Sequence, residues 1–216
     1  MSGFEAYNAS GYKTIDSDYR ATVISTARGM PGLTDMGNQT NINSPFGNGV
    51  TLGFLPYNYL SGMTGALWFR LNAGNYCWPG PGLYEAGSGT FMNSSTANGI
   101  SSGYLDVYNA SGGLVWSAAS AGTMPRIIDF ITIPNGYDLS NNTLTMNLSY
   151  NPWICISQAP GNYSPDPEGG LGYSGFQFKW TGSQLQTRWV SAKQRTYPQV
   201  FSGITYKIAL AQFTGY

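Results

Sequence analysis

The sequence predicts an all-β protein, an antiparallel β-sandwich or a pair of them, and three observations carry that prediction. Aromatic residues make up 15% of the chain, including 16 Tyr, and 29 Gly punctuate it, the pattern of short strands joined by many turns. No stretch reads as an amphipathic helix of three turns with caps. The pentapeptide Tyr-Asn-Ala-Ser-Gly occurs twice, at residues 7–11 and 108–112, each time between two runs with strand character.

The first hairpin is read over residues 3–27, where apolar Phe4 and Ala6 alternate with Glu5 and Tyr7. Its turn suits a type I turn closed by a left-handed Gly bulge: Asn8 bonds its own backbone and Gly11 takes positive φ without a Cβ clash. Alternation is lost from Gly29 to Asn58, which reads as a long surface loop that contacts a neighbour or carries function. Ala66-Leu-Trp-Phe-Arg-Leu71 is apolar on both faces apart from Arg70, as a covered central strand requires. Residues 75–84, broken by Pro79, Gly80, Pro81 and Gly82, form a second loop.

A second hairpin follows over residues 103–119, with Asn109 and Gly112 as its turn formers. Gapless alignment of the two copies pairs Phe4 with Leu105, Glu5 with Asp106, Ala6 with Val107 and Ile15 with Trp116. Beyond the hairpins, Arg20-Ala-Thr-Val-Ile-Ser-Thr lines up with Arg126-Ile-Ile-Asp-Phe-Ile-Thr after an insertion of about five residues. Arg126 to Ile133 is predicted to be a core strand, ended by Pro134-Asn-Gly136. Thr143 to Tyr150 alternates, placing Leu144, Met146, Leu148 and Tyr150 inward. Residues 161–172 read as a loop. Phe176, Phe178 and Trp180 share one strand face, and Ile204, Tyr206, Ile208 and Leu210 share another. The chain thus divides into two similar halves, residues 1–100 and 101–216, either half-domains or two faces of one sandwich.

Composition narrows function. Charged residues are 9% and the formal net charge is zero, so neither nucleic acid nor an anionic membrane surface is indicated as a partner. No run approaches a membrane span. The N-terminus lacks a basic region followed by an apolar run, so synthesis in the cytoplasm without export is expected. Cys77 and Cys155 lie in aromatic settings and read as buried thiols acting as small hydrophobes. Sequons such as those at Asn8 and Asn109 are by-products of composition, and these asparagines are turn formers.

Catalysis is not expected. With no histidine in the chain, Ser-His-Asp and Cys-His nucleophile systems are excluded, together with the commonest general base. A carboxylate pair could come only from residues such as Asp166 and Glu168, which read as solubilising loop acids. Asp16-Ser-Asp18 reads as a turn and a partner for Arg20, with no calcium-loop spacing. No metal and no cofactor are expected.

Aromatic residues in loops are the more informative set. Tyr76, Trp78 and Tyr84 lie among Pro and Gly, and Trp153 and Tyr163 flank another loop. Flat rings beside amide and carboxyl groups can stack on sugar faces while the polar groups bond hydroxyls. These five are the candidate receptor contacts. The competing reading is that Trp78 and Trp153, each close to a cysteine, plug the ends of the core.

Gly3-Phe-Glu-Ala-Tyr-Asn-Ala-Ser-Gly11 with Thr14-Ile-Asp-Ser-Asp-Tyr-Arg20 resembles the opening of small proteins encoded among the tail genes of tailed bacteriophages. Residues 107–117 resemble the same opening, with Ser117 where the first copy has Asp16. The resemblance implies a virion protein of the tail tip, baseplate or fibre region, made in the host cytoplasm and present in several copies beside other tail proteins. It carries no catalytic residue. Assembly or host-surface attachment is the implied task, with a bacterial surface glycan or receptor as the outer partner. A free carbohydrate-binding module or lectin is the alternative.

Overall fold

The computed structural model describes residues 3–29, 53–54, 65–72, 74, 76, 83–84, 89–166 and 170–214. A short ribbon opens the chain, β1 (Glu5–Tyr7) with β2 (Lys13–Asp16), and leads into β3 (Val23–Gly29). Then come β4 (Gly53–Phe54), β5 (Ala66–Leu71), β6 (Leu83–Tyr84) and β7 (Gly89–Ser95). The plan restarts with the ribbon β8 (Asp106–Tyr108) and β9 (Leu114–Ser117), followed by β10 (Arg126–Ile133). β11 (Leu144–Asn147) and β12 (Trp153–Cys155) come next, then β13 (Gly161–Asp166) and β14 (Gly170–Trp180). β15 (Gln184–Ala192), a one-turn helix α1 (Tyr197–Phe201) and β16 (Tyr206–Gln212) finish it. No helix among the described residues is long and apolar enough to cross a membrane.

Six strands form one antiparallel sheet in the order β10-β16-β12-β5-β7-β3, and four form a second, β11-β15-β14-β13. Phe69, Phe91, Ile131, Ile154 and Leu210 of the first sheet bury one face against Phe176, Phe178, Leu185 and Trp189 of the second. The fold is therefore the all-β sandwich that the sequence predicts. Each large side chain taken out of water here contributes about 1.5–3 kcal/mol. The opposite face of the six-stranded sheet carries Trp68, Met92, Trp153, Ala209 and Phe213. The two ribbons lie over that face: Tyr12 meets Phe130 edge-on at 5.0 Å, and the Asn8 side chain donates to the Ile127 carbonyl.

The six-stranded sheet has an internal two-fold pattern. β3-β7-β5 and β10-β16-β12 run in mirrored order from opposite edges to the centre. The bulge between Ile24 and Thr26 in β3 matches the one between Ile127 and Asp129 in β10. Placing Ile24 on Ile127, Ser94 on Ala211 and Ala66 on Trp153 preserves the pairings Ile24↔Ser94, Ala66↔Ser94, Ile127↔Ala211 and Trp153↔Ala211. The dyad then falls at the central pair Trp68↔Cys155. β4 pairs with β6 in the first half as β11 pairs with β15 in the second. The repeat first seen in a pentapeptide thus extends through the sheet. The matched bulges align Val23 with Arg126, an insertion shorter than the five residues expected from sequence.

Several elements match expectation and others differ. β5 is central, with Trp68 and Phe69 buried on opposite faces. Leu144, Met146 and Leu148 pack on the core, although β11 ends at Asn147. β10 is the core strand expected, set at an edge of its sheet. Its apolar run is explained by cover on both faces, Ile131 and Ile133 toward the second sheet and Ile127 and Phe130 toward the ribbons. Residues 161–172, read as a loop, contain β13 and the start of β14, paired from Gly161↔Gly175 to Asp166↔Gly170. Pro165 is tolerated because β13 is an edge strand. Of the loop read over residues 29–58, only residues 29, 53 and 54 are described.

Candidate functional site

The two ribbons are built by the same bonds. In the first, the Asn8 N–H donates to the Tyr12 carbonyl (2.8 Å) and the Gly11 N–H to the Asn8 carbonyl (2.9 Å). Asn8 Oδ1 accepts the N–H groups of Ser10 and Tyr12. In the second, Asn109 exchanges the equivalent bonds with Gly113 and Gly112 (2.9 and 3.0 Å), and its Oδ1 accepts from Ser111 and Gly113. Gly11 and Gly112 both have φ of +79°. Asn8, Gly11, Asn109 and Gly112 are the turn formers expected from sequence.

The far ends of the ribbons also match. Asp16 Oδ1 accepts the Asp18 N–H, and Ser117 Oγ accepts the Ala119 N–H at the corresponding place. The Ser17 N–H reaches the Phe4 carbonyl as the Ala118 N–H reaches that of Leu105. Tyr7 donates its hydroxyl to Glu5, and Tyr108 to Asp106. Asp16 does not pair with Arg20. Lys13 instead bridges Glu5 and Asp16, while Arg20 Nη2 donates to the Asn98 carbonyl, because the Asp16 side chain faces back along its own ribbon.

Matched positions stay exposed on both ribbons: Phe4 and Tyr7 on the first, Leu105 and Tyr108 on the second. Tyr19 and Tyr104 add two more rings, the latter fully solvent-exposed. Six of the eight large apolar side chains most exposed among the described residues thus lie on or beside the two ribbons.

A groove lies between the ribbons, beside the dyad. Ile15 and Trp116, the positions that gapless alignment pairs, both line it, with Trp68 also in its lining. This lobe has a volume of about 370 Å³. Met124, Arg126 and Ile127 line its second-half side. A second lobe of about 260 Å³ continues past Trp116 to Lys13, Asp16, Tyr19 and Arg20. Trp68 is held in place by its indole N–H, which donates to Ser94 Oγ at 2.9 Å, and by the edge of Phe213 at 5.8 Å.

Of the five aromatic candidates read from sequence, Trp153 and Tyr76 have described side chains. Trp153 is 2% exposed, its ring packed against Phe213 and under the Arg70 guanidinium. It is a core residue with no face open to a receptor. Tyr76 is half-buried, donates its hydroxyl to Gln186 and sits beneath Lys179 Nζ. Trp78 lies outside the described residues, as do the side chains of Tyr84 and Tyr163. Cys155 is a buried free thiol whose pKa burial raises; Cys77 is outside the described residues. Sequence reasoning missed Trp116 as a groove residue, although its pairing with Ile15 was the available signal.

The fold and the ribbons define a class: an all-β sandwich with an internal repeat, carrying a layer of two hairpins and a groove between them. Over residues 1–215 the chain matches the family described as a domain of unknown function, DUF8377, and it belongs to that family. No curated protein and no solved structure matches it.

Proposed function

We propose that this chain is a non-enzymatic structural protein of a bacteriophage tail, working in the tip, baseplate or fibre region in assembly, host-surface attachment or both. The observation that carries the reading is the doubled hairpin. Its sequence resembles the opening of phage tail-gene proteins, and both copies form one outer layer with matched exposed residues at Phe4, Tyr7, Leu105 and Tyr108. A surface of few charges and many exposed rings suits a subunit packed among others, where burying charge is costly. In this reading the protein is made in the host cytoplasm and enters the particle in several copies beside other tail proteins.

The test is cryo-electron microscopy with mass spectrometry of purified particles from a genome that encodes the chain. Density for the sandwich at the tail, and the chain's peptides in the particle, are expected. Particles with complete tails that lack the chain would sink the proposal.

A carbohydrate-binding role is the second reading, favoured by the half-buried Trp116 in an open groove. It places the contact between the ribbons instead of on the loops at residues 75–84 and 151–170. Binding by the isolated monomer on a glycan array, with no copy in particles, would favour it over the tail reading.

A further inference from the structure

We propose that the groove between the ribbons binds an acidic saccharide, with a sugar ring stacked on Trp116 and carboxylates held by Arg126 and Arg20. The proposal rests on the attachment part of the tail-protein reading and names the chemistry of its outer partner.

Trp116 lines both lobes and is half-buried, so the groove includes indole surface that the core has not covered. An indole of this kind offers a flat apolar surface to the C–H face of a pyranose. Thr22 stands in the same lining, while the Thr14 hydroxyl beside it donates to the Ala6 carbonyl, so the site has few polar groups in a mainly apolar wall. The main lobe, at about 370 Å³, lies within the range of about 300–1,000 Å³ usual for small-ligand sites.

Charge decides the class of sugar. The chain has only 10 basic and 10 acidic residues, yet Lys13, Asp16, Arg20 and Arg126 all line the groove. Lys13 is neutralised by Glu5 and Asp16. The two arginines are not: Arg20 Nη2 donates to the Asn98 carbonyl and Arg126 Nη2 to Gln212 Oε1, both neutral acceptors. Neither forms an ion pair among the described residues. A guanidinium has five N–H donors and matches a carboxylate in bidentate geometry, so each retains donors for one. A neutral saccharide would offer neither guanidinium an ion pair.

The experiment uses the full chain and two acidic probes, hexamers of α-1,4-linked galacturonate and of α-2,8-linked sialic acid, with maltohexaose as the neutral control. Binding is followed by tryptophan fluorescence and calorimetry. Saturable binding to at least one acidic hexamer is expected, about ten-fold or more tighter than to maltohexaose. Arg20→Gln and Arg126→Gln should each weaken it about ten-fold, the double variant should abolish the preference for acid, and Trp116→Ala should abolish binding. Trp116→Ala removes packing in the second ribbon, so the arginine variants, whose guanidinium groups lie on exposed residues, carry the test if it fails to fold. Equal affinity for acidic and neutral hexamers, no binding to any of the three, or acid preference surviving in the double variant would overturn the proposal. The chain's presence in particles is scored separately: a tail-resident chain without saccharide binding refutes the groove alone. A binding chain absent from particles refutes the tail reading alone.

Discussion

Asn8 Nδ2 donates to the carbonyl of Ile127 at 3.1 Å, tying the first ribbon to an edge strand that lies 119 residues further along the chain. The same side chain closes its own turn through Oδ1, so it performs a local and a long-range task with different atoms. Asn109 performs the local task in the second ribbon.

This difference predicts unequal costs for equal substitutions. Asn109→Ala should cost about 1 kcal/mol, the usual net value of turn-closing bonds, and Asn8→Ala about 2 kcal/mol because the tie to β10 goes as well. Urea unfolding of the two variants beside the parent measures both. Equal losses would mean that the Ile127 bond adds nothing in solution.

The turn glycines give a second comparison. A Cβ on Gly11 or Gly112 would meet nothing within 4 Å, so alanine there suffers only the left-handed backbone at φ +79°. The expected cost is about 1–2 kcal/mol at each. Gly65, at φ +98°, differs because a Cβ would lie 2.2 Å from the Ser94 carbonyl oxygen, in the backbone of β7. Gly65→Ala should cost about 3–5 kcal/mol, strain and displacement together. Thermal unfolding of the three variants ranks them; Gly65→Ala matching the other two would show that β7 gives way freely.

The sequence made some of these elements readable and concealed others for definite reasons. β5 was legible because both faces are apolar, and the ribbons because Asn and Gly have fixed uses in a tight turn. β7 was not, since Asn93, Ser94 and Ser95 look like turn residues although all three are buried; the Trp68 indole gives Ser94 its partner from another strand. Trp153 reads from sequence either as flanking a loop or as plugging the core, and the core reading holds because β12 sets it beside Ala211. The groove is the least legible feature. It exists only where two ribbons from separate halves meet over Trp68, and short-range patterns do not encode that meeting.

Acid should loosen the ribbon layer before the sandwich. Asp106 is lowered from 3.8 to about 2 by the Ser102 hydroxyl first, then the Ser117 hydroxyl and the Gly103 N–H. Glu5 and Asp16 are lowered in the first ribbon, each chiefly by Lys13. A carboxylate with a depressed folded pKa stabilises the fold above its unfolded value; for Asp106 that contribution disappears as pH falls from about 4 towards about 2, and for Glu5 and Asp16 it is lost as pH falls below their ordinary range of about 4. Amide chemical shifts of Gly11 and Gly112, followed from pH 6 to pH 2, should move together in this window. In Asp106→Asn only the Gly112 response should flatten. A flat response at both glycines in the parent would contradict the coupling.

Base should act on the core most strongly through the Tyr197 hydroxyl, although burial raises Tyr173 and Tyr206 as well. Tyr197 is 3% exposed, stacked on Phe201 at 4.9 Å and edge-on to Trp189 at 5.8 Å. Its hydroxyl has no hydrogen-bond partner among the described residues. Burial pushes its pKa from 10 up to about 12, with a smaller contribution from Tyr206. A phenol whose folded pKa is raised favours the fold below its unfolded value, and that preference is lost as pH climbs from about 10 through about 12. Removing the hydroxyl should therefore help twice. Tyr197→Phe deletes an unpaired buried polar group, which costs about 1–3 kcal/mol where it stands, so the variant should gain about 1 kcal/mol at pH 7. Its urea midpoint should also fall less than the parent's at pH 11. A variant less stable than the parent at pH 7 would show that the hydroxyl is bonded after all, and that the aromatic cluster depends on it.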